Sequence, residues 1–493
     1  MENTLVLSSL ELKALSPFLY LSAGLLISVL AAAYKVKSKT LKVLATIIFG
    51  PAIYLALSFV AQPAISIYPS VLVLSPLVYT LLAVFSLFAW LVYLFHEDST
   101  KIDRHAEALS LLVLAALSYA LVLGSRNFVA LFVYLETAAI CSYLLVSYFS
   151  NSRTGLEAGI KYILQGSFFS ALYLMGVALL FGVVGSFEFI DIREYLLNVS
   201  PSAISPLLYA GFFFVLLSFF FKLTLVPTHF WAADVYQGSP TAFAAFLSGA
   251  SKLSIFAFCS FILFSTGIYK LEIFQKFIFV AALFSVLLGN LMAFVQTSLK
   301  RLFIYSGVAN VGYVAFALLA LEKSFPSILI YIFIYSLAFI AVFSLIEIMS
   351  KVINDSTSFK DVKISQLAEL RQSCPRSMLL LFALLVFSIA GLPPFPGFLA
   401  KFSILIDLWS TGNRAACFVV VLGALMGMAY YLKILIPLFL EDKASFATEK
   451  KDIKKFVQVK MLSPVLTFAL LAVICVAFSE VFSFVSTFNL SLQ

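Results

Sequence analysis

The chain has 493 residues; 62% are hydrophobic, 16% aromatic and only 11% charged. Soluble domains are about half apolar and about a quarter charged, so a soluble enzyme, a disordered chain and a secreted disulfide scaffold are excluded. The net charge of +8 is read first as a topology signal rather than as a nucleic-acid surface, and no nucleic-acid partner is expected.

A membrane-spanning helix needs about 20 apolar residues. Apolar runs fall at 15–34, 41–61, 71–95, 107–124, 126–149, 157–185, 205–237, 241–266, 271–296, 302–321, 325–350, 377–409, 414–438 and 460–486. The expected fold is an all-α polytopic membrane protein of about 14 transmembrane helices. The N-terminus MENTLVLSSLELK lacks a basic region, so the first helix reads as retained rather than cleaved. Two runs are too long for one straight helix, and both carry mid-run prolines: Pro227 in the first, and Pro393, Pro394 and Pro396 in the second. Proline removes a backbone donor and breaks a helix. In a membrane a break is tolerated only where it is buried in protein or lines a wet cavity.

Runs four to eight and nine to thirteen each hold five spans with a proline-broken fourth member. Five is odd, so the second set enters the membrane inverted, the pattern of an inverted repeat. The chain then divides into an N-terminal three-helix segment at 1–106, a first repeat at 107–266, a second at 267–440, and a loop with a last helix at 441–493. Alternate loops carry 21 and 7 Lys plus Arg. The positive-inside rule puts the rich side, including 35–42, 351–376 and 441–460, in the cytoplasm and both termini outside.

Charge at the bilayer centre costs roughly 2.5–3.5 kcal/mol per residue on insertion scales. Glu136 lies midway along its run, and so does Lys252. Lys222 just precedes the Pro227 break, and Lys401 just follows the second break. Unpaired, the four would cost about 10–14 kcal/mol. They must pair, be hydrated, or lose their charge part of the time. Structural ion pairing is the bland alternative, but intramembrane ionisable groups mark function by default. His229, seven residues after Lys222, reads equally as a hydrogen-bonded histidine or a proton relay. Asp234 and Tyr236 read as loop anchors, and His96 and His105 as solvated. Lys161 and Lys433 can snorkel. Glu347 and Lys351 form a favourable i,i+4 pair, and Asp407 falls near the outer end of its run. The five cysteines (Cys141, Cys259, Cys374, Cys417 and Cys475) are scattered and suggest neither a zinc site nor an iron–sulfur cluster. No nucleotide-binding motif is present.

Three segments carry a resemblance. PTHFWAADVYQGSPTAFAAFLSGASK, QTSLKRLFIYSGVANVGYV and GLPPFPGFLAKFSIL resemble, in order, the helix 7–8, helix 9–10 and helix 12 signatures of the antiporter-like membrane subunits of respiratory complex I, the type I NADH dehydrogenase. The lysine at the second break is similar to the N-type subunits. M-type subunits carry glutamate there, and L-type subunits add a lateral helix for which the few residues after the last span leave no room. The resemblance implies proton translocation without a redox centre in this chain. NADH, FMN, iron–sulfur clusters and quinone would reside in partner subunits, with the M and K subunits as neighbours, in a bacterial inner membrane. It implies a Glu136–Lys222 ion pair, onward transfer by Lys252 along the central axis, and exchange with the outer side at Lys401. Asn310 stands where the family often has histidine and cannot titrate. Water ordered by Ser306, Tyr313, Tyr335 and Ser336 would have to bridge that region. A Mrp-type sodium/proton antiporter subunit, a subunit of a related membrane-bound hydrogenase, and a solute transporter remain the alternatives.

Overall fold

The structure, a computed structural model, describes residues 8–68, 70–95, 104–147, 153–200, 203–354, 361–440 and 461–488. Helices dominate, as the apolar runs require: in lipid a backbone must satisfy its own polar groups. The N-terminal part comprises α1 (Ser9–Ala14), α2 (Ser16–Ala33), α3 (Ser38–Ser58), a hairpin of β1 (Ile65–Tyr68) and β2 (Leu72–Leu74), and α4 (Pro76–Phe95). Next come α5 (His105–Gly124), α6 (Phe128–Ser147), α7 (Arg153–Val184), α8 (Phe189–Asn198), α9 (Pro206–Leu223), α10 (Phe230–Gly238), α11 (Thr241–Phe246) and α12 (Lys252–Thr266). The remainder is α13 (Glu272–Val295), α14 (Leu299–Ala317), α15 (Leu321–Asn354), α16 (Leu367–Ser373), α17 (Arg376–Ala390), α18 (Pro396–Ser410), α19 (Arg414–Phe439), α20 (Leu462–Val476) and α21 (Phe478–Ser486).

Among the described residues, eleven stretches are long and apolar enough to cross a membrane, or twelve if the bent pair α20 and α21 counts as one. One of the eleven, Leu299–Ile353, is 55 residues long. At 1.5 Å per residue it would far exceed a bilayer if straight. It is not straight: Tyr331 on α15 donates a hydrogen bond to Asn310 on α14, which requires the two helices to run back along each other. The run at 460–486 is not one straight helix either, because α20 and α21 meet at 81°. The all-helical expectation also missed the hairpin, in which Ile65 pairs with Leu74 and Ser66 with Val73. Strand β2 takes up the start of the run at 71–95, so its helix begins only at Pro76.

Burial locates the centre. In the most apolar windows of Thr241–Thr266 and of α14–α15, 94% of residues are buried, against 28% in α7 and 33% in α2 and α3. Lys252 therefore sits on one of the innermost helices and Glu136 and Lys222 on half-buried ones, while α2, α3 and α7 turn apolar faces outward.

Both proline-bearing runs break, and they break alike. Helix α9 ends at Thr224, in the left-handed region at φ 63°, and α17 ends at Gly391, at φ 82°. In each, the next residue's N–H reaches back into the last turn, Leu225 to Phe220 O at 2.9 Å and Leu392 to Phe387 O at 3.1 Å. Each then passes a cis X-Pro bond, Val226–Pro227 and Pro393–Pro394, before the helix resumes. Pro396 lies in the first turn of α18, where its missing N–H costs nothing.

Candidate functional site

Glu136 sits at mid-length on α6 and accepts a hydrogen bond from Ser170 at 2.7 Å. Lys222 is in the last turn of α9. Among the described residues the two make no direct ion pair, but Lys222 lies within electrostatic reach of the Glu136 carboxylate. The break beside Lys222 leaves two buried polar atoms without protein partners, Thr224 Oγ1 and His229 Nδ1. Buried polar atoms normally find a partner, so such a pair marks a site for ordered water.

Lys252 opens α12 directly after a π-turn at Leu247–Ser251. A π-turn adds a residue to the helical ladder and recurs at functional sites. Nothing in the spacing signalled it, although Ser248, Gly249, Ala250 and Ser251 are all small. Lys252 is only 3% exposed. Its ammonium lies over the Tyr335 ring, 5.4 Å from the centroid, an orientation that favours a cation. Glycine makes the approach possible: a Cβ at Gly307 would meet the Tyr335 hydroxyl at 2.7 Å and Lys252 Nζ at 3.3 Å.

Lys401, on α18, reaches back to the end left open by the second break. Its ammonium donates to Ile389 O at 3.1 Å and Ala390 O at 2.9 Å, carbonyls near the end of α17 where the helix dipole favours a cation. It also lies 5.3 Å from the centre of the Tyr313 ring. Gly391 leaves room for it, since a Cβ there would meet Lys401 Cδ at 2.8 Å. A cavity of about 10 Å³ is lined by Lys401, Tyr331, Tyr335 and Ser388 among others. Tyr335 Oη and Ser388 Oγ are buried without partners. That volume and those polar groups suit a single water.

Asn310 holds its side-chain amide between Ser306 O, to which it donates at 2.8 Å, and the Tyr331 hydroxyl, from which it accepts at 2.7 Å. Tyr313 instead accepts from Asn290 at 3.3 Å. Of the hydroxyls expected to order water, Ser306 and Ser336 are bonded to carbonyls of their own helices. Tyr331, which sequence reasoning passed over, donates to the Asn310 side chain.

Several sequence readings need correction. Tyr236 is no loop anchor: it is 2% exposed and stacks beside Trp231 at 5.7 Å, because α10 carries it into the interior. His105 is buried at the start of α5 rather than solvated; His96 lies outside the described residues. Lys300, counted with a loop, is buried near the carboxylates of Asp361 and Glu347. Asp234 does anchor: it bonds Lys161 at 2.9 Å and Arg301 at 3.3 Å, tying α7, α10 and α14 together. Lys161 is therefore paired, also with Glu157 at 2.7 Å, and does not merely snorkel. Lys433 donates to Phe294 O at 2.9 Å and Gln296 O at 3.1 Å at the end of α13. Glu347 and Lys351 approach to 4.0 Å. Among the described residues, no group of three or more His, Cys, Asp or Glu is placed to hold a metal ion.

The sequence profile of a family described as NADH:quinone oxidoreductase/Mrp antiporter, transmembrane, matches residues 125–427. NADH-quinone oxidoreductase subunit N of Geotalea uraniireducens (strain Rf4) is 32% identical over 347 residues, covering 70% of this chain and 72% of the relative. NADH-ubiquinone oxidoreductase chain 2 of Oenothera berteroana is 30% identical over 366 residues, 73% of this chain and 72% of that one. Among solved structures, a chain of respiratory complex I from Thermus thermophilus with bound aureothin superposes with a TM-score of 0.76 at 22% identity, covering 95% of this chain and 98% of that one. A chain of the Mrp complex from Dietzia sp. DQ12-45-1b gives 0.81 at 18%, covering 97% and 96%. At these identities the two structures establish a shared fold, and the sequence relatives establish kinship. The chain belongs to the NADH:quinone oxidoreductase/Mrp antiporter transmembrane family and, within it, to the group of NADH-quinone oxidoreductase subunit N.

Proposed function

We propose that the chain is a proton-translocating membrane-arm subunit of a type I NADH:quinone oxidoreductase, and that its conduit runs from Glu136 and Lys222 through Lys252 to Lys401. One observation carries the conduit: Lys252 and Lys401 are joined by shared surroundings rather than, among the described residues, by ion pairs. Lys252 packs on Tyr335, and Tyr335 and Lys401 line the same water-sized cavity. A structural lysine would be matched by a carboxylate; these two are matched by an aromatic ring and by main-chain carbonyls. A lysine can serve as a proton carrier because its ammonium can lose a proton. Arginine would stay charged.

Glu136 sets the state of Lys222 in this reading. The carboxylate attracts the ammonium while the two are near; for two unit charges about 6 Å apart at an effective dielectric near 20 the attraction would be roughly 3 kcal/mol. When it moves away, Lys222 releases its proton into water at the break lined by Thr224 and His229. We further propose 14 crossings, with α14 and α15 as two, the broken α17–α18 as one and α20–α21 as one. The matched breaks support an inverted repeat of 107–266 and 267–440. The Lys/Arg-rich side faces the cytoplasm of a bacterial cell, with both termini outside. Electrons pass through partner subunits that bind NADH, FMN, iron–sulfur clusters and quinone, and the M and K subunits flank this one.

Purification from native membranes in mild detergent tests the assignment. Co-purification with FMN- and iron–sulfur-containing subunits is expected. Isolation with other membrane subunits and no redox centre would assign the chain to a Mrp-type antiporter instead.

A further inference from the structure

A proton on Lys401 still has to reach the outer surface. Asp407, six residues further along α18, lies about 9 Å closer to that side. Its position in the chain marks it only as lying near a helix end. In the structure it is half-buried, and the buried Ser327 on α15 donates a hydrogen bond to its Oδ2 at 2.5 Å. Ser327 is one helical turn from Tyr331 and two from Tyr335, so the three lie on one face of α15. Tyr331 and Tyr335 line the cavity that holds Lys401. One face of α15 thus carries three hydroxyls, of Tyr335, Tyr331 and Ser327, at one-turn spacing between the Lys401 cavity and the Asp407 carboxylate. Beyond Asp407 the exposed Lys323 acts on it electrostatically and bonds Ser410 at 3.4 Å.

We propose that Asp407 is the outer-side release group of the conduit, taking the proton that leaves Lys401 and handing it to the outer solvent. The inference rests on the relay reading above and extends it by one residue. The Lys401 ammonium gives one proton to the cavity water and becomes a neutral amine. A further water passes a proton along the turn between Tyr331 and Ser327. The Ser327 hydroxyl accepts that proton as it gives its own to Asp407, so serine ends unchanged and the carboxylate becomes a carboxylic acid. The acid then loses its proton to outer water. One proton enters and one leaves, and no redox partner is needed.

A purely structural Asp407 would need only to accept from Ser327, and asparagine can do that with its side-chain carbonyl. Asparagine cannot carry a proton. The test compares Asp407→Asn, Asp407→Glu, Ser327→Ala and Lys401→Ala in the intact complex reconstituted in phospholipid vesicles, reading protons translocated per NADH oxidised. Asp407→Asn should lose as much translocation as Lys401→Ala, Ser327→Ala should lose part of it, and Asp407→Glu should restore it. Full translocation in Asp407→Asn with loss in Lys401→Ala would overturn the release role and leave the relay standing. Equal loss in the Asn and Glu variants would also overturn it, by making Asp407 structural. If Asp407→Asn does not assemble, Ser327→Ala decides: unaltered translocation there overturns the proposal. Full translocation in Lys401→Ala would instead remove the relay reading itself.

Discussion

Tyr335 borders both inner lysines: its ring lies under the Lys252 ammonium at 5.4 Å, and it lines the cavity into which Lys401 projects. Its hydroxyl is buried without a protein partner, an arrangement that costs about 1–3 kcal/mol if no water is bound there. Persistence of that cost at the centre of the most buried helix pair points to a use for the hydroxyl.

Tyr335→Phe separates the two roles of this side chain. The ring that carries the cation contact remains, and the orphaned hydroxyl goes. Thermal unfolding of the purified complex should be unchanged or slightly raised. Protons moved per NADH oxidised should fall, because the cavity loses a group that orders its water. Unchanged translocation would show that the path does not use this hydroxyl.

Two glycines with nearly the same backbone test the space around Lys401. Gly391 and Gly412 have φ of 82° and 81°, so alanine at either is strained by about 1–3 kcal/mol. At Gly412 a Cβ meets nothing, whereas at Gly391 it meets Lys401 Cδ at 2.8 Å and Nζ at 3.0 Å. Both variants should lose comparable stability in thermal unfolding. Only Gly391→Ala should lose translocation, since only there must the lysine move.

Asn310 offers a third test. Its side-chain oxygen accepts from Tyr331 at 2.7 Å. Histidine can accept through a ring nitrogen, so Asn310→His should pump nearly normally. Asn310→Leu leaves the Tyr331 hydroxyl unsatisfied and dries its surroundings, at a cost of about 1–3 kcal/mol in stability and with impaired pumping. Full pumping in the leucine variant would move the water path away from α14.

Orientation is checked by cysteine labelling on a cysteine-free background in sealed cells. Position 197 lies in the Lys/Arg-poor part and should react with an impermeant reagent from outside, whereas position 371 should not. The reverse pattern would invert every inward and outward assignment made above.

The broad architecture was legible because the bilayer imposes it. Uninterrupted apolar runs announce helices, and Pro227, Pro393 and Pro394 announce breaks that occur where expected. Lys222, Lys252 and Lys401 stood out because charge is rare in such runs. What surrounds them did not stand out. Tyrosines such as Tyr331, Tyr335 and Tyr236 read as ordinary apolar-run residues, and helices buried on nearly every side give no pattern to show which way a hydroxyl points. Lys300 was misplaced because flanking Lys and Arg were counted as loop, whereas α14 begins one residue earlier and folds it inward. The bend between α20 and α21 follows no proline at the joint, and the π-turn before Lys252 has no residue signature beyond small side chains. The hairpin was lost because apolar strands of four and three residues look like the edge of a span.

The most direct test of the conduit is Lys252→Met in the intact complex in sealed vesicles. Methionine keeps an unbranched apolar chain of similar length and cannot carry a proton. The quantity is the number of protons translocated per NADH oxidised, read alongside the amount of assembled complex. The account predicts normal assembly with fewer protons moved for each NADH. A fully assembled Lys252→Met complex that moves as many protons per NADH as the wild type would contradict it.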